Sequence, residues 1–287
     1  KGIILAGGVG SRLAPLTKSV SKQLMPVYDK PMIYYPLSTL MLIGIREILV
    51  ITSEKDQDNF KNLLGDGSQW GIKIKFKIQK KPEGIAQAFL IAEEFINNSP
   101  SVLILGDNLF YGSELTKKLL LASKKQIGAT LFAYPVKDPS SYGIIEFDNN
   151  KTLKSIEEKP KNPKSKYAIT GIYFYDNKVV EFSKNLKFSS RGELEITSIN
   201  EIYLKNGDLN VEIMSRGNAW FDTGTFDSLH EASSYVRSIE NRQGYKVGSP
   251  EEVSWRQGWI SDEELKNLSS NLINSGYGQD LRDLIKK

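Results

Sequence analysis

The chain has no cysteine and a single histidine in 287 residues. The first absence excludes disulfides, thiolate zinc sites and cysteine nucleophiles. It also suits a reducing compartment, so a cytoplasmic protein is expected. The second leaves a Ser-His-Asp mechanism one position to rest on. That position, His230, stands in DSLHEASSYV, where the periodicity predicts an amphipathic helix, and it reads as a surface or packing residue. Long apolar runs are missing too: none reaches the ~18–20 residues that a membrane-spanning helix needs. The opening KGIILAGG reads as a short strand running into glycines rather than as a signal peptide. Neither sign of charge dominates, since 38 Lys and Arg stand against 34 Asp and Glu, a net charge of +4. The lysines are densest at Lys80-Lys81-Pro82 and over 159–166, without the interleaved aromatics of a single-strand binder. Neither nucleic acid nor a membrane is expected as a partner. A solvated basic face with a site for small anions is.

What is present is ordinary for a soluble globular protein: 40% hydrophobic and 25% charged residues. The length allows roughly two units and a sizeable core. Strand-like apolar runs at 2–6, 47–52, 72–78, 101–105 and 129–134 alternate with helical patterns at 33–45, 55–64, 85–96 and 114–125. That alternation predicts an α/β fold with a mostly parallel sheet and helices on both faces. The runs are almost continuously apolar, as expected of strands covered on both sides. From Tyr142 the pattern changes to strands at 143–147, 153–158, 168–174 and 209–214. Turns are expected at Asp148-Asn149-Asn150 and Asn162-Pro163, and helices at 177–183 and 193–205. From Thr225 the chain reads as predominantly helical. A soft boundary near residue 240 divides an α/β domain, 1–240, from a helical C-terminal region, 241–287. The basic Lys286-Lys287 suits a helix end.

Chemistry concentrates first in LAGGVGSRLAPLTKSVSKQLMPV. Gly7, Gly8 and Gly10 follow directly on a strand pattern, where glycines let backbone N–H groups approach phosphate. Two familiar phosphate loops do not fit. The dinucleotide fingerprint would need glycine at position 13, which is Leu13, and the G-K-[ST] of a P-loop is absent. Alone, the glycines are equally a tight turn. With Arg12 immediately after them and Lys22 ten residues on, they become a backbone cradle beside permanent cations, suited to a triphosphate whose charge builds during reaction. The second motif is Leu105-Gly106-Asp107-Asn108, at the carboxyl end of an apolar run, where ligands bind in open α/β sheets. Asp107 there is either a strand-end turn residue or a ligand for Mg2+. Asp222, in AWFDTGT, reads in isolation as a helix-start aspartate.

Together with Pro15, Gln23 and Pro26, the first string resembles the signature of the sugar-nucleotide pyrophosphorylases. The continuation YDKPMIYYPLS, and further strings (ILGDNLFYG, DPSSYGIIEFD, EEKP, TGIYFYD, RGELEIT, AWFDTGT, ENRQGYKV), are similar to the branch that joins thymidine triphosphate to glucose 1-phosphate. Two positions depart from that branch: Ser11 stands where threonine is frequent, and Glu83 where aspartate is. The resemblance implies a Rossmann-like nucleotidyltransferase fold, with a nucleotide-binding part over about 1–135 and a sugar-phosphate part over about 136–240. It implies that Gly7, Gly8, Gly10, Ser11, Arg12, Gln23, Gln79, Gly84 and Asp107 bind the nucleotide, Gly8 lying near the deoxyribose and the glutamines near the base. It assigns Tyr142, Gly143, Glu158, Lys159, Thr170, Arg191 and Trp220 to the sugar phosphate, Asp107 and Asp222 to one Mg2+, and Arg12, Lys22 and Lys159 to catalysis. A homotetramer is implied, with an effector site for which Tyr111, Gly112, Arg216, Glu252 and Arg256 are the candidates. Without the resemblance, Glu157-Glu158-Lys159 is equally an exposed strand end and Trp220 a core aromatic. A uridine or adenosine triphosphate enzyme, and a catalytically silent sugar-nucleotide binder, remain as alternatives.

Overall fold

Thirteen strands and eleven α-helices make up the described part of the computed structural model, residues 1–148 and 152–286. The expected turn at Asp148-Asn149-Asn150 and the helix end at Lys286-Lys287 therefore lie partly outside the described residues. The strands are β1 (Gly2–Ala6), β2 (Pro26–Val27), β3 (Lys30–Pro31), β4 (Glu47–Thr52), β5 (Lys73–Ile78), β6 (Ser101–Leu105), β7 (Asn108–Tyr111), β8 (Ala129–Pro135), β9 (Gly143–Phe147), β10 (Leu153–Glu158), β11 (Tyr167–Tyr175), β12 (Leu209–Ile213) and β13 (Ala219–Asp222). The helices are α1 (Tyr34–Leu42), α2 (Gln57–Leu64), α3 (Gln87–Ile91), α4 (Glu93–Ile96), α5 (Leu115–Ser123), α6 (Val179–Lys184), α7 (Ile196–Lys205), α8 (Phe226–Gln243), α9 (Pro250–Arg256), α10 (Asp262–Ser270) and α11 (Gly276–Leu284). The pattern expected as one helix over 85–96 is two short ones, α3 and α4, meeting at Ala92. Of these helices none is long and apolar enough to cross a membrane.

The main sheet has nine strands, seven of them in the order β10-β9-β11-β6-β1-β4-β5, with β8 and β12 off this path. Its heart, β6-β1-β4-β5, is parallel, and β11 joins it antiparallel; β8 pairs with β11, and β12 with β8 alone. Side-chain alternation sends Ile4 to one face and Ile3 to the other. On the first face α1, α2 and α5 bury Leu37, Phe60 and Leu119. On the second α3, α6 and α7 bury Phe89, Val179 and Tyr203. Both faces are covered, which is why the strands read as continuous apolar runs.

A separate two-stranded ribbon pairs β7 with β13, antiparallel, in a register that sets Asp222 opposite Asn108. Helix α8 starts on a capping box in which Thr225 accepts from the Ser228 N–H. It runs uninterrupted through residue 240 to Gln243. Helices α9, α10 and α11 follow; α10 and α11 close a small core of Ile260, Leu265, Tyr277, Leu281 and Leu284. Helix α9 lies on α1 and on the 3-10 turn Ser68–Trp70, where the Ser254 hydroxyl donates to the Trp70 carbonyl at 2.6 Å. His230 is exposed on α8.

Candidate active site

The glycine loop leaves β1 at its carboxyl end. Gly7 is pressed against Gln79, so closely that a Cβ would collide with the amide oxygen. Gly10 holds φ +61° and opens a 3-10 turn, Ser11–Leu13, that carries Arg12. That φ is left-handed and favours glycine. The Thr17 hydroxyl donates to the Gly10 carbonyl at 3.0 Å and steadies the loop. A second 3-10 turn, Lys22–Leu24, follows; there the Ser21 hydroxyl donates to the buried Gln23 side chain at 2.6 Å. This turn aims Lys22 at Asp107, whose Oδ2 accepts from the lysine ammonium.

The two acids are brought together by the β7–β13 ribbon. Asp107 lies between β6 and β7, and Asp222 ends β13. The residue after Asp222, Thr223, donates both its backbone N–H (3.1 Å) and its hydroxyl (2.7 Å) to the Asp107 carbonyl. Their electrostatics differ. Burial works against the Asp107 carboxylate, but the charge and hydrogen bond of Lys22, with the Asn108 amide, outweigh it and hold its pKa below the usual range. Burial, and then the charge of Asp107, push Asp222 up to about 6, with Lys22 and Arg12 offsetting only part. Such a pair is short of positive charge.

A cleft of about 660 Å3 opens over these residues, a size ordinary for a ligand site. Ser11, Arg12, Asp107 and Asp222 line it together with Tyr142, Gly143, Glu158, Lys159 and Trp220. The Glu158 carboxylate accepts from the Thr197 hydroxyl and from Arg191 at 3.2 Å. Arg191 also meets Glu193 at 3.1 Å and Glu195 at 3.4 Å. Helix α7 begins only at Ile196, not at the expected 193, which leaves Glu193 free of the helix to line the cleft and face Arg191. Lys159 has φ +43° without being glycine, a backbone state that concentrates at functional sites. Its N–H donates to the Tyr142 carbonyl at 3.0 Å.

Not every expected residue lines this cleft. Gly7, Lys22, Gln23 and Gln79 are not among its lining residues. Gln79 donates to Gln87 at 2.6 Å, and Gln87 to Glu83 at 2.8 Å. Gly8 faces open space, whereas Gly84 is packed on the Leu194 backbone. Thr170 is fully buried in β11 with an unpartnered hydroxyl. Conversely, Asn108, Tyr173 and Thr197 line the cleft without having been singled out. Asn108 stood inside a quoted motif, and Thr197 was hidden in the helical pattern of 193–205. A second cavity, about 420 Å3, is lined by Tyr111, Gly112, Glu252 and Arg256. Arg216 lies outside that lining, exposed in the turn before β13.

A parallel sheet with a glycine loop, two cations and two acids at its carboxyl end defines a nucleotidyl transferase: the profile of that family matches residues 1–239, and the chain belongs to it. A Neisseria meningitidis serogroup A protein, 57% identical over 100% of both chains, bears the name glucose-1-phosphate thymidylyltransferase. So does a Mycolicibacterium smegmatis protein, 55% identical over 100% of this chain and 99% of its own. A Bacillus anthracis structure assigned to the same enzyme, in complex with a sucrose, superposes with a TM-score of 0.77 at 44% identity, over 83% of this chain and 96% of that one. A UDP-glucose pyrophosphorylase complexed with UDP-glucose shares the fold at a TM-score of 0.69, 23% identity, and 83% and 98% coverage. Within its family the chain is a member of the glucose-1-phosphate thymidylyltransferase branch.

Proposed function

We propose that the chain transfers a thymidylyl group from thymidine triphosphate to α-D-glucose 1-phosphate, giving dTDP-glucose and pyrophosphate. The observation that carries this reading is a single cleft lined by Arg12, Asp107 and Asp222, with Lys22 bonded to Asp107, and also by Glu158, Lys159 and Trp220. The glycine loop and Arg12 take the triphosphate, with Gln23, Gln79 and Gly84 toward the base. Glu158, fixed by Thr197 and Arg191, accepts sugar hydroxyls, and Lys159 and Arg191 balance the sugar phosphate. A phosphate oxygen of glucose 1-phosphate attacks the α-phosphorus in line. The bond from that phosphorus to the bridging oxygen breaks, and pyrophosphate leaves with the electron pair. The nucleophile is already an anion, so no general base is needed; His230 is far from any such role. Positioning and charge neutralisation remain, and Arg12 and Lys22 supply the latter.

Asp107 and Asp222 fit a Mg2+ site. Among the described residues no cluster of three or more acidic, His or Cys side chains forms a full cage, and Mg2+ prefers one or two carboxylates with phosphate oxygens and water. When bound, the ion would neutralise charge on the triphosphate. Asp222→Asn tests the pair without any substrate. Because folding raises the Asp222 pKa to about 6, its stabilising contribution is complete below pH ~4 and lost as pH rises through ~6. Without divalent cations the variant is therefore expected to unfold at about the same temperature as wild type near pH 3.5. At pH 8 it should be more stable, by up to about 3 kcal/mol. Adding Mg2+ should stabilise only the wild type. Equal melting temperatures at pH 8 would show that Asp222 is not held under charge stress.

The same reading includes a homotetramer in the cytoplasm, with the second cavity receiving a deoxysugar nucleotide as feedback effector. Pyrophosphate release from four nucleoside triphosphates against several sugar 1-phosphates tests the reaction. Thymidine triphosphate with glucose 1-phosphate should give the highest kcat/KM, and dTDP-rhamnose should lower it. Release that is absent, or fastest with another base, would overturn the assignment.

A further inference from the structure

We infer that Asn108 is a positioning residue that locks the Asp107 carboxylate to the sugar wall of the cleft, so that the indole of Trp220 controls cation binding without touching the cation. This inference rests on the proposed reading of Asp107 as a metal ligand. Asn108 is 2% exposed and opens β7. Its Oδ1 accepts two hydrogen bonds, from Trp220 Nε1 at 2.6 Å and from the Gly171 N–H at 3.1 Å. An indole N–H and a backbone N–H are donors only, so the amide oxygen must face them. The amide nitrogen is thereby turned the other way, where it donates to Asp107 Oδ1 at 3.0 Å. The second oxygen, Oδ2, is left to Lys22.

The surroundings leave Asn108 little freedom. Gly171 lies where the β11–β8 register shifts, between Ile169 and Tyr173. A Cβ there would sit 2.6 Å from Asn108 Cγ, so a side chain at 171 would press on the amide. Across the ribbon, the backbone of Asn108 is in register with Asp222. One side chain thus joins the turn bearing the first acid, the strand bearing the second, the bulge of β11 and the indole wall. Take away the indole N–H and the reason for the amide's orientation is halved. The amide oxygen then has one anchor, the Gly171 N–H, in place of two, so the side chain is held less firmly and its hydrogen bond to Asp107 loosens.

The test is Mn2+ binding to the purified protein without substrates, read as free Mn2+ by electron paramagnetic resonance. Trp220→Phe keeps a ring against Tyr142 (5.3 Å) and Tyr134 (6.0 Å) and removes only the N–H and the second ring. It is expected to weaken Mn2+ binding about tenfold or more, the scale of lost outer-sphere support. Asn108→Ala should do the same, and the double variant should be no worse than either single one. Tyr134→Phe, which alters the other ring packed on that indole, should bind Mn2+ as wild type does. Wild-type Mn2+ affinity in folded Trp220→Phe, or additive losses in the double variant, would overturn the inference. If Asn108→Ala does not fold, Trp220→Phe decides alone. The titration needs no turnover, so this inference and the assigned reaction fail separately.

Discussion

Replacing Arg12 by alanine should lower kcat by roughly a hundredfold or more and leave the fold intact, as for other losses of preorganised charge stabilisation. The side chain is exposed, so little packing is lost. Its role comes from where the 3-10 turn places it. An ideal Cβ on Gly224 would lie 2.5 Å from Arg12 Nη2 and 3.0 Å from Asp222 Oδ1, which puts the guanidinium directly beside the second acid. A guanidinium stays charged at every working pH, so the loss should be the same at pH 6 and pH 9. Arg12→Lys should recover part of it, because charge returns without the planar fork. Gly224→Ala offers an independent check. Its methyl would first meet the far end of Arg12 and the Asp222 carboxylate, so melting should hardly change while kcat falls about tenfold through the displaced guanidinium. Steady-state pyrophosphate release, with KM determined for each substrate, measures both variants. Wild-type turnover in Arg12→Ala would remove this residue from the mechanism.

Much of this site could be read from the sequence because its parts are local. Gly7, Gly10, Arg12 and Lys22 lie within one short segment, and β1 and β6 announce their carboxyl ends by passing from apolar runs into glycine. What stayed illegible is what only long-range pairing creates. Strands β7 and β13 have four residues each, too short for a periodicity signal. Yet their pairing is what brings Asp222 to Asp107, and the Asn108–Trp220 bond spans 112 positions. Lys22 was expected on the triphosphate; the fold also gives it a carboxylate partner, Asp107. The late start of α7 has a local cause. The Leu194 N–H donates to the Glu83 carbonyl at 2.7 Å and its carbonyl accepts from Ala86 at 3.2 Å, so residues 193–195 are strapped to the loop of Gly84 instead of coiling.

Lys30 shows the same limit, and its replacement by methionine should be the most damaging single change to stability considered for this chain. In sequence it is one lysine in a Tyr-Asp-Lys-Pro turn, without any sign of burial. In the structure its side chain is 1% exposed. Its ammonium meets Asp29 at 2.5 Å and Glu240 at 2.9 Å, and lies 5.1 Å from the Tyr35 ring centre. Lys246 completes the cluster through the other oxygens of Asp29 (2.6 Å) and Glu240 (2.9 Å), and reaches Asp280 on α11 at 2.7 Å. Removing Lys30 leaves three carboxylates to one lysine, with Glu240 buried and Asp29 half-buried. Breaking a buried pair in this way costs about 3–5 kcal/mol, which for a protein of this size lowers the melting temperature by roughly 10 °C. The pH dependence has a definite sign. Burial opposes the Asp29 carboxylate, but Lys30 and Lys246 outweigh it and lower its pKa. That contribution is therefore present above the ordinary carboxylate range and lost as pH falls below it, through the lowered pKa. The gap between wild type and Lys30→Met should be widest at neutral pH and only begin to shrink near pH 4. Lys286→Met breaks an exposed pair at 2.7 Å and should melt with wild type, since exposed ion pairs contribute little. Thermal unfolding of both variants between pH 4 and pH 8 decides the matter, and a Lys30→Met protein as stable as wild type would show that the cluster holds together without it.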